Sequence, residues 1–275
     1  MPMRLGLEAG GNTPDLAVEL GITGVPISVD QLVNDGVEAT LAPLRERELR
    51  VCQIGAFGYN PLSTDREAQA RNSMILEQAM PLVSETGCPY VVICGGNYHP
   101  SGFAAGDPRN FTDEALDKVA DVLAPMLAKA EKHGVKLTIE PYLKTAIYDA
   151  DRFLALKERV NSDALRINVD VTSLYAYWDL WEPSATVHRI CTSLAGHYGL
   201  AHVKEVALSE GFHIHAGLAP LGQGNTDWAQ VLSLMAPHVP EDSWVILEHV
   251  QTPEEARNSV SILRKAADAA GVTLT

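Results

Sequence analysis

The sequence is short of positive charge, of cysteine and of long hydrophobic runs. Its 35 Asp and Glu residues outnumber its 21 Lys and Arg residues, and the net charge is −14 at pH 7. Nucleic-acid binding needs a basic surface that neutralises phosphates, so this balance argues against a polynucleotide partner. No apolar run approaches the length that crosses a bilayer. We therefore expect a protein that binds neither nucleic acid nor membrane.

Cysteine usage and the N-terminal residues indicate the compartment. The four cysteines, at positions 52, 88, 94 and 191, show neither CxxC spacing nor the pattern of a disulfide framework. Reduced, isolated thiols are typical of cytoplasmic proteins, in which disulfides rarely persist. The first residues also lack the charged stretch and the long apolar stretch of a secretory signal peptide. Both features predict a cytoplasmic location.

What the sequence does contain is a regular alternation of short apolar runs and amphipathic segments. The runs cover residues 5–8, 24–29, 49–54, 90–94, 137–140, 167–171, 200–203 and 245–248. Strands that are buried on both faces of a parallel sheet have this continuously apolar character. Eight strand–helix units in one chain predict a single (β/α)8 TIM barrel over residues 1–275, with an open doubly wound sheet as the alternative.

Helix-start signals lie between the runs. Thr112 is a predicted N-cap, and the two acidic residues behind it favour the positive end of the helix dipole. Thr252, Pro253 and Glu255 predict the start of a last helix, because they combine a capping box with a proline in the first turn. Residues 8–12 lack the glycine spacing of a nucleotide-binding loop.

Four potential metal ligands follow four consecutive predicted strands: Glu140, Asp170, His202 and Glu248. The carboxyl ends of barrel strands open onto one face, so these side chains should converge at the barrel mouth. Three carboxylates and one imidazole would form an oxygen-rich site for a divalent cation. One such residue would be an ordinary loop group, whereas four in order predict a shared metal site. The imidazole favours Mn²⁺, with Zn²⁺ left open.

Short motifs surround these residues: Ile139-Glu140-Pro141, Asn168-Val169-Asp170, His202-Val203-Lys204-Glu205, Leu221-Gly222-Gln223-Gly224 and Leu247-Glu248. Together they resemble the xylose isomerase-like TIM barrel superfamily. That superfamily contains sugar isomerases, ketose 3-epimerases, inosose dehydratases and AP endonuclease-type enzymes. The resemblance extends over nearly the whole chain, while its specific motifs occupy the second half.

The resemblance implies a metal-dependent enzyme that acts on a small-molecule sugar. Family members hold Mn²⁺, Mg²⁺ or Co²⁺ through the four groups, and the ion polarises a substrate carbonyl and hydroxyl to stabilise an enediolate. Glu140 and Glu248 would also act as acid and base on opposite faces of the substrate carbon. Asp170 and His202 would mainly hold the metal. The first hypothesis is therefore a sugar isomerase or epimerase that removes a proton next to a carbonyl.

Three positions depart from the ketose 3-epimerase pattern. Ser173, Leu208 and Ala146 stand where those enzymes have a histidine, an arginine and a second glutamate that grip the substrate. The departures leave the metal ligands intact and count against a ketohexose 3-epimerase. They favour a second hypothesis, a metal-dependent lyase or dehydratase that acts on an oxidised sugar, glycoside or cyclitol. A third hypothesis, an AP endonuclease, conflicts with the acidic charge and with the lack of a histidine in 52–57.

Further side chains could contact substrate at the same mouth. His99 follows the fourth predicted strand, and His213 and His215 alternate along an extended segment, which would point both imidazoles the same way. Each could bind substrate or supply a proton to a leaving group, or could be solvent-exposed. Lys204 lies two positions after His202 and would share its facing. It could stabilise an oxyanion or pair with a core carboxylate.

Glu8, His249 and an aromatic group complete the candidates. Glu8 ends the first predicted strand and could anchor Lys204. His249 follows the last ligand and should point away from the mouth, because successive strand residues alternate in direction. The aromatic group after the sixth predicted strand comprises Tyr175, Tyr177, Trp178 and Trp181. Trp178 and its neighbours could stack on a sugar, or could form a contact with a second copy or a partner subunit.

Overall fold

The computed structural model describes residues 2–275. Its strands form a closed parallel barrel, a separate two-stranded hairpin and a short last strand that pairs with the first. The strands are β1 (Pro2–Leu7), β2 (Gly24–Ser28), β3 (Arg50–Ala56), β4 (Tyr90–Cys94), β5 (Lys136–Glu140), β6 (Leu165–Val169), β7 (Tyr198–Val203), β8 (Glu205–Ser209), β9 (His215–Ala219), β10 (Trp244–Leu247) and β11 (Thr273–Leu274). Strands β1 to β7 pair in chain order, and β10 joins β7 to β1. The β10–β1 pairing closes the sheet, which confirms the predicted (β/α)8 TIM barrel and excludes the open sheet.

Helices connect the strands around the outside of the barrel. They are α1 (Thr13–Leu20), α2 (Val29–Asn34), α3 (Val37–Arg45), α4 (Arg66–Val83), α5 (Asp113–Lys132), α6 (Ala150–Val160), α7 (Ser184–Ser193), α8 (Trp228–Met235) and α9 (Pro253–Ala270). Short 3-10 helices cover Gly10–Asn12, Ser84–Thr86, Pro108–Phe111, Thr172–Leu174 and Tyr177–Leu180. Within residues 2–275, we find no helix whose length and apolar character would let it cross a membrane.

Both predicted helix starts are confirmed by hydrogen bonds. Thr112 Oγ1 accepts a bond from the Ala115 amide at the start of α5, and Thr252 Oγ1 accepts one from the Glu255 amide at the start of α9. The predicted capping box at α9 differs in one bond. The Glu255 carboxylate accepts from the Gln251 amide, one residue before the expected donor.

A two-stranded hairpin between β7 and α8 was not predicted. Strands β8 and β9 pair antiparallel from Glu205 opposite Ala219 to Ser209 opposite His215, and they form a sheet of their own. The sequence indicated an extended segment here, but it did not show that the segment turns back on itself. The hairpin rises beside the mouth and supplies part of its rim.

The amino-terminal end of the barrel is filled by the buried indole of Trp244. Gly6 of β1 pairs with Gly24 of β2, so neither strand presents a side chain at this level. A Cβ atom on Gly24 would lie 2.5 Å from two atoms of the Trp244 ring and 3.0 Å from Cys52 Cβ. The space above Gly24 is therefore occupied by the closing strand β10.

Replacing Gly24 with Ala should destabilise the barrel because a methyl group cannot fit against the Trp244 ring without moving it. We expect a loss of about 1–3 kcal/mol in the free energy of unfolding, the usual cost of overpacking a core. Gly11→Ala is the matched control, since no side chain or backbone atom from elsewhere in residues 2–275 lies within 4 Å of its Cβ position. Thermal and urea unfolding would measure both variants. Equal stability of the two variants would show that Gly24 is not tightly packed against the Trp244 ring.

Candidate active site

The four predicted ligands lie at the carboxyl end of the barrel. Glu140 is the last residue of β5, Asp170 follows β6, His202 lies in β7 and Glu248 follows β10. His202, Asp170 and Glu248 are buried, while Glu140 is partly exposed to the mouth. Parallel strands around a closed ring direct their carboxyl ends to one face, which is why residues far apart in sequence meet there.

Three of the four ligands form a compact group. Glu140, His202 and Glu248 each offer one ligand atom, and these atoms lie within 4.8 Å of one another. His202 Nδ1 is 2.9 Å from Glu248 Oε2 and 3.9 Å from Glu140 Oε1. Among residues 2–275, the buried Nδ1 nevertheless has no hydrogen-bond partner. A nitrogen and oxygens that approach closely without hydrogen-bonding are arranged like ligands of a shared ion, and two carboxylates with an imidazole suit a divalent cation.

Two further side chains fix the orientation of the His202 ring. His202 Nε2 is 2.7 Å from Gln53 Oε1, and the Gln53 amide nitrogen donates to Glu8 Oε2 at 3.0 Å. Because the Gln53 nitrogen is committed to Glu8, its oxygen accepts from His202 Nε2–H. When the ring loses its second proton, the lone pair is therefore on Nδ1, the atom that faces the two glutamates. Glu8 was expected to anchor Lys204, and the structure instead bonds it to Gln53, a residue that the sequence analysis missed.

Asp170 lies beside the compact group and is held by its own turn. Its Oδ1 accepts bonds from the amide and hydroxyl of Thr172 and from the amide of Ser173. Its Oδ2 accepts from Ser173 Oγ at 2.7 Å and lies 2.5 Å from Lys204 Nζ. Asp170 thus belongs to the charge cluster, but a lysine stands between it and the other three predicted ligands.

Lys204 pairs with core carboxylates, one of the two roles considered for it. Its Nζ is 2.6 Å from Glu248 Oε1 and 3.9 Å from Glu140 Oε1, in addition to its contact with Asp170. Burial opposes the charged form, but Asp170 and Glu248 outweigh burial and raise the pKa of Lys204 well above its ordinary range. The ammonium is therefore a permanent positive charge at the base of the mouth.

The two glutamates differ in proton affinity. Burial, followed by repulsion from Glu248, raises the pKa of Glu140 to about 7. Burial also acts on Glu248, but His202 and Lys204 override it and hold its pKa below the ordinary range. For His202, the Glu248 carboxylate outweighs burial and raises the pKa to about 9. Carboxyl groups whose pKa values are driven apart in one site are suited to separate proton-transfer roles.

A cavity of about 400 Å³ opens above this cluster. Glu140, Lys204 and Glu248 contribute to its polar base, and its volume lies in the range of small-molecule sites. Apolar surface comes from Phe57, Phe103, Tyr142 and from the hairpin residues Val206 and Leu218. Phe103 and Tyr142 pack with ring centroids 6.4 Å apart. These aromatic residues lie in separate loops and were missed, because the sequence showed only the cluster after β6.

Four predicted substrate contacts are not brought to this cavity. Among the described residues that line it, we do not find His99, His213, His215 or Trp178. His99 Nδ1 lies 2.7 Å from Ser101 Oγ within its own loop. His213 is exposed at the hairpin tip, and His215 Nδ1 lies 3.3 Å from Ser209 Oγ on the neighbouring arm.

The physical reasons for these placements are local. His213 lies at the hairpin tip before β9, and His215 is the exposed first residue of β9, so the predicted alternation does not direct both side chains to the mouth. Trp178 lies in a 3-10 helix outside the mouth and is 74% exposed. The other prediction for this aromatic group, an oligomer contact, stays a prediction.

His249 faces the cavity, contrary to the sequence-based prediction. Its φ is +58°, so the chain has left the extended conformation and strand alternation no longer applies. Its Nε2 lies 3.6 Å from Glu248 Oε1, and the side chain lines both the main cavity and an adjoining one of about 200 Å³. The available signal was the end of the predicted run at Glu248, which places His249 beyond the strand.

Comparison with known proteins identifies the family. A model of the xylose isomerase-like TIM barrel family matches residues 14–266. This match covers most of the chain, and the protein belongs to that family. Among curated proteins, the chain has no significant sequence match.

Solved structures share the fold at low sequence identity. A xylose isomerase-like TIM barrel protein from Mycobacterium smegmatis in complex with magnesium is 16% identical, with a TM-score of 0.69 over 94% of this chain and 87% of that chain. The 3-keto-D-glucoside 4-epimerase YcjR from E. coli is 18% identical, with a TM-score of 0.70 over 96% and 99%. The probable 3-DHS dehydratase AsbF from Bacillus anthracis is 15% identical, with a TM-score of 0.67 over 95% and 98%. At these identities the likeness establishes the shared fold alone.

Divalent-cation binding at this group should strengthen as pH rises. A proton on Glu140, whose pKa is about 7, or on His202, whose pKa is about 9, must leave before that residue can act as a ligand. We expect Mn²⁺ affinity to increase between pH 6 and pH 9, with protons released on binding. Calorimetric titration in buffers of different ionisation enthalpy would count them. In Glu140→Gln the increase around pH 7 should disappear, and affinity independent of pH would contradict the assignment.

Proposed function

We propose that the protein is a metal-dependent sugar isomerase or epimerase that removes a proton from a carbon next to a carbonyl. The observation that carries this proposal is geometric: two carboxylates from different strands, Glu140 and Glu248, lie with His202 in one compact group beneath a cavity of about 400 Å³. The pKa values of the two carboxylates are shifted in opposite directions. The low-identity epimerase and dehydratase relatives support enzymatic sugar chemistry as a class.

Glu140, His202 and Glu248 are the residues that would hold the cation. When bound, the cation would act as a Lewis acid that polarises a substrate carbonyl and a neighbouring hydroxyl. Mg²⁺ and Mn²⁺ both suit a site with two carboxylates and one imidazole. The magnesium complex of the mycobacterial relative supports a divalent cation here as well.

Glu140 is assigned the proton abstraction. Before a cation binds, burial and Glu248 raise the pKa of Glu140 to about 7, so Glu140 holds a proton more strongly than Glu248 does. Glu248 is the second carboxylate and is assigned the opposite face of the substrate. Its lowered pKa makes it the weaker base. The Lys204 ammonium, 3.9 Å from Glu140, is placed to stabilise negative charge that develops on a substrate oxygen.

A lyase on the same scaffold is the second candidate, and His249 is the observation that favours it. Elimination requires an acid for the leaving group, and His249 lies where the main cavity meets the adjoining cavity of about 200 Å³. A substituent on the sugar could occupy that second space. Ser173 lines the main cavity at the position where ketose 3-epimerases have a histidine, and its hydroxyl donates its proton to Asp170 and so cannot donate to a sugar.

Reaction in deuterated water distinguishes the two candidates. An isomerase or epimerase should place deuterium on a substrate carbon without releasing a fragment, because the proton removed exchanges with solvent before it returns. Incubation with ketoses and with oxidised glycosides, followed by NMR and mass spectrometry, would show the outcome. Release of water or an aglycone with an unsaturated product would replace the isomerase assignment by the lyase.

Replacing Glu140 with Gln should lower turnover at least about 100-fold at saturating Mn²⁺, because the amide cannot carry the proton. Glu210→Gln is the matched control, since Glu210 is exposed at the hairpin tip. Steady-state kinetics with a substrate identified in the preceding experiment would measure both variants. If Glu140→Gln kept near wild-type turnover, Glu140 would not be the proton carrier.

A further inference from the structure

The ammonium group of Lys204 is surrounded by three carboxylates. Lys204 Nζ lies 2.5 Å from Asp170 Oδ2, 2.6 Å from Glu248 Oε1 and 3.9 Å from Glu140 Oε1. Among the described residues that line the main cavity, Lys204 is the single Lys or Arg. The lysine is buried, so bulk solvent screens these contacts weakly.

Glu248 is shared between two groups. Its Oε1 contacts the Lys204 ammonium, while its Oε2 approaches His202 Nδ1 at 2.9 Å in the compact ligand group. A cation held by Glu140, His202 and Glu248 would therefore draw on a carboxylate whose other oxygen already faces a positive charge. Asp170 cannot relax towards that cation freely, because Thr172 and Ser173 hold both of its oxygens.

We propose that Lys204 is a built-in counter-cation, which pairs with Asp170 and shares Glu248 with the divalent ion. It weakens the binding of that ion, and it holds the carboxylates together when the ion is removed. The proposal rests on the metal site assigned under the proposed function. Once Glu140 and His202 have lost their protons to bind the ion, three carboxylates and one ammonium leave a charge of −2, which a single divalent cation neutralises. Lys204 thus sets the net charge of this group to the value that one divalent ion neutralises.

The test compares Lys204→Met, which removes the charge and keeps much of the apolar stem, with Lys204→Arg, which retains the charge. For Lys204→Met we expect Mn²⁺ affinity to rise at least about tenfold by calorimetry, because the ion no longer competes with an ammonium. In chelator, the same variant should unfold at a lower temperature than the wild type, because three carboxylates then repel one another without a counter-charge. Lys204→Arg should keep Mn²⁺ affinity within about threefold of wild type.

The control is Lys157→Met at the opposite, amino-terminal end of the barrel. Lys157 is largely buried and donates to the Ser162 and Leu165 carbonyls, so this variant also removes a sheltered ammonium. It should leave Mn²⁺ affinity unchanged. The opposite signs expected for Lys204→Met, tighter metal and lower stability in chelator, would not arise from a lysine that only supports packing.

Each outcome decides the proposal. If Lys204→Met does not fold in chelator, it can be folded with Mn²⁺, and it should then release the ion to EDTA more slowly than wild type. Weaker or unchanged Mn²⁺ binding by Lys204→Met would overturn the proposal while leaving the metal site intact. If Lys204→Met bound Mn²⁺ and the wild type did not, the proposal would be supported, because the lysine would then block the ion completely. Binding by neither would overturn both this proposal and the metal-dependent function.

Discussion

The pairing of β1 with β10 is the interaction on which the site depends. It closes the sheet into a ring, and ring closure places strands on opposite sides within reach of one another. The clearest case is the bond between Gln53 of β3 and His202 of β7, which crosses the barrel interior between residues 149 positions apart. In an open sheet these two strands would be separated by the width of three others. The orientation of the His202 ring is therefore a product of the global topology rather than of its own strand.

Closure also forces charges together, and the protein balances them with its own groups. Three carboxylates converge where burial makes isolated charge costly. Lys204 and His202 offset much of that cost, while a partly protonated Glu140 reduces the remaining repulsion. The compensation of charge is unequal. Lys204 and His202 both lie closer to Glu248 than to Glu140, so Glu140 has the higher proton affinity. Chemical asymmetry between two identical residue types thus follows from their neighbours.

The sequence could predict those parts of the site that depend on regular structure. Apolar runs predicted the barrel strands, because strands that are buried on both faces are continuously apolar. Polar residues at or next to the ends of four runs predicted the mouth: Glu140, Asp170, His202 and Glu248. It could not predict that Asp170 would bond within its own turn or that Lys204 would come between Asp170 and the other ligands. The Asp170 bonds depend on the turn that follows β6, and the Lys204 contacts depend on side-chain distances across strands. The prediction for His249 was wrong because strand alternation was extended past the last residue of a strand. Of the two roles considered for His213, solvent exposure fits the structure, because the extended segment folds back as a hairpin.

The hairpin of β8 and β9 has a consequence for the shape of the cavity. In the described sheet topology its strands pair with each other and not with the barrel, yet Val206 and Leu218 contribute to the cavity wall. Its tip is widely exposed, with Phe212 98% accessible. Changes in its length or sequence can alter the rim while the hydrogen-bonded ring beneath stays intact. Variation in this appendage can therefore reshape the space above Glu140, His202 and Glu248 without moving the strands that carry them.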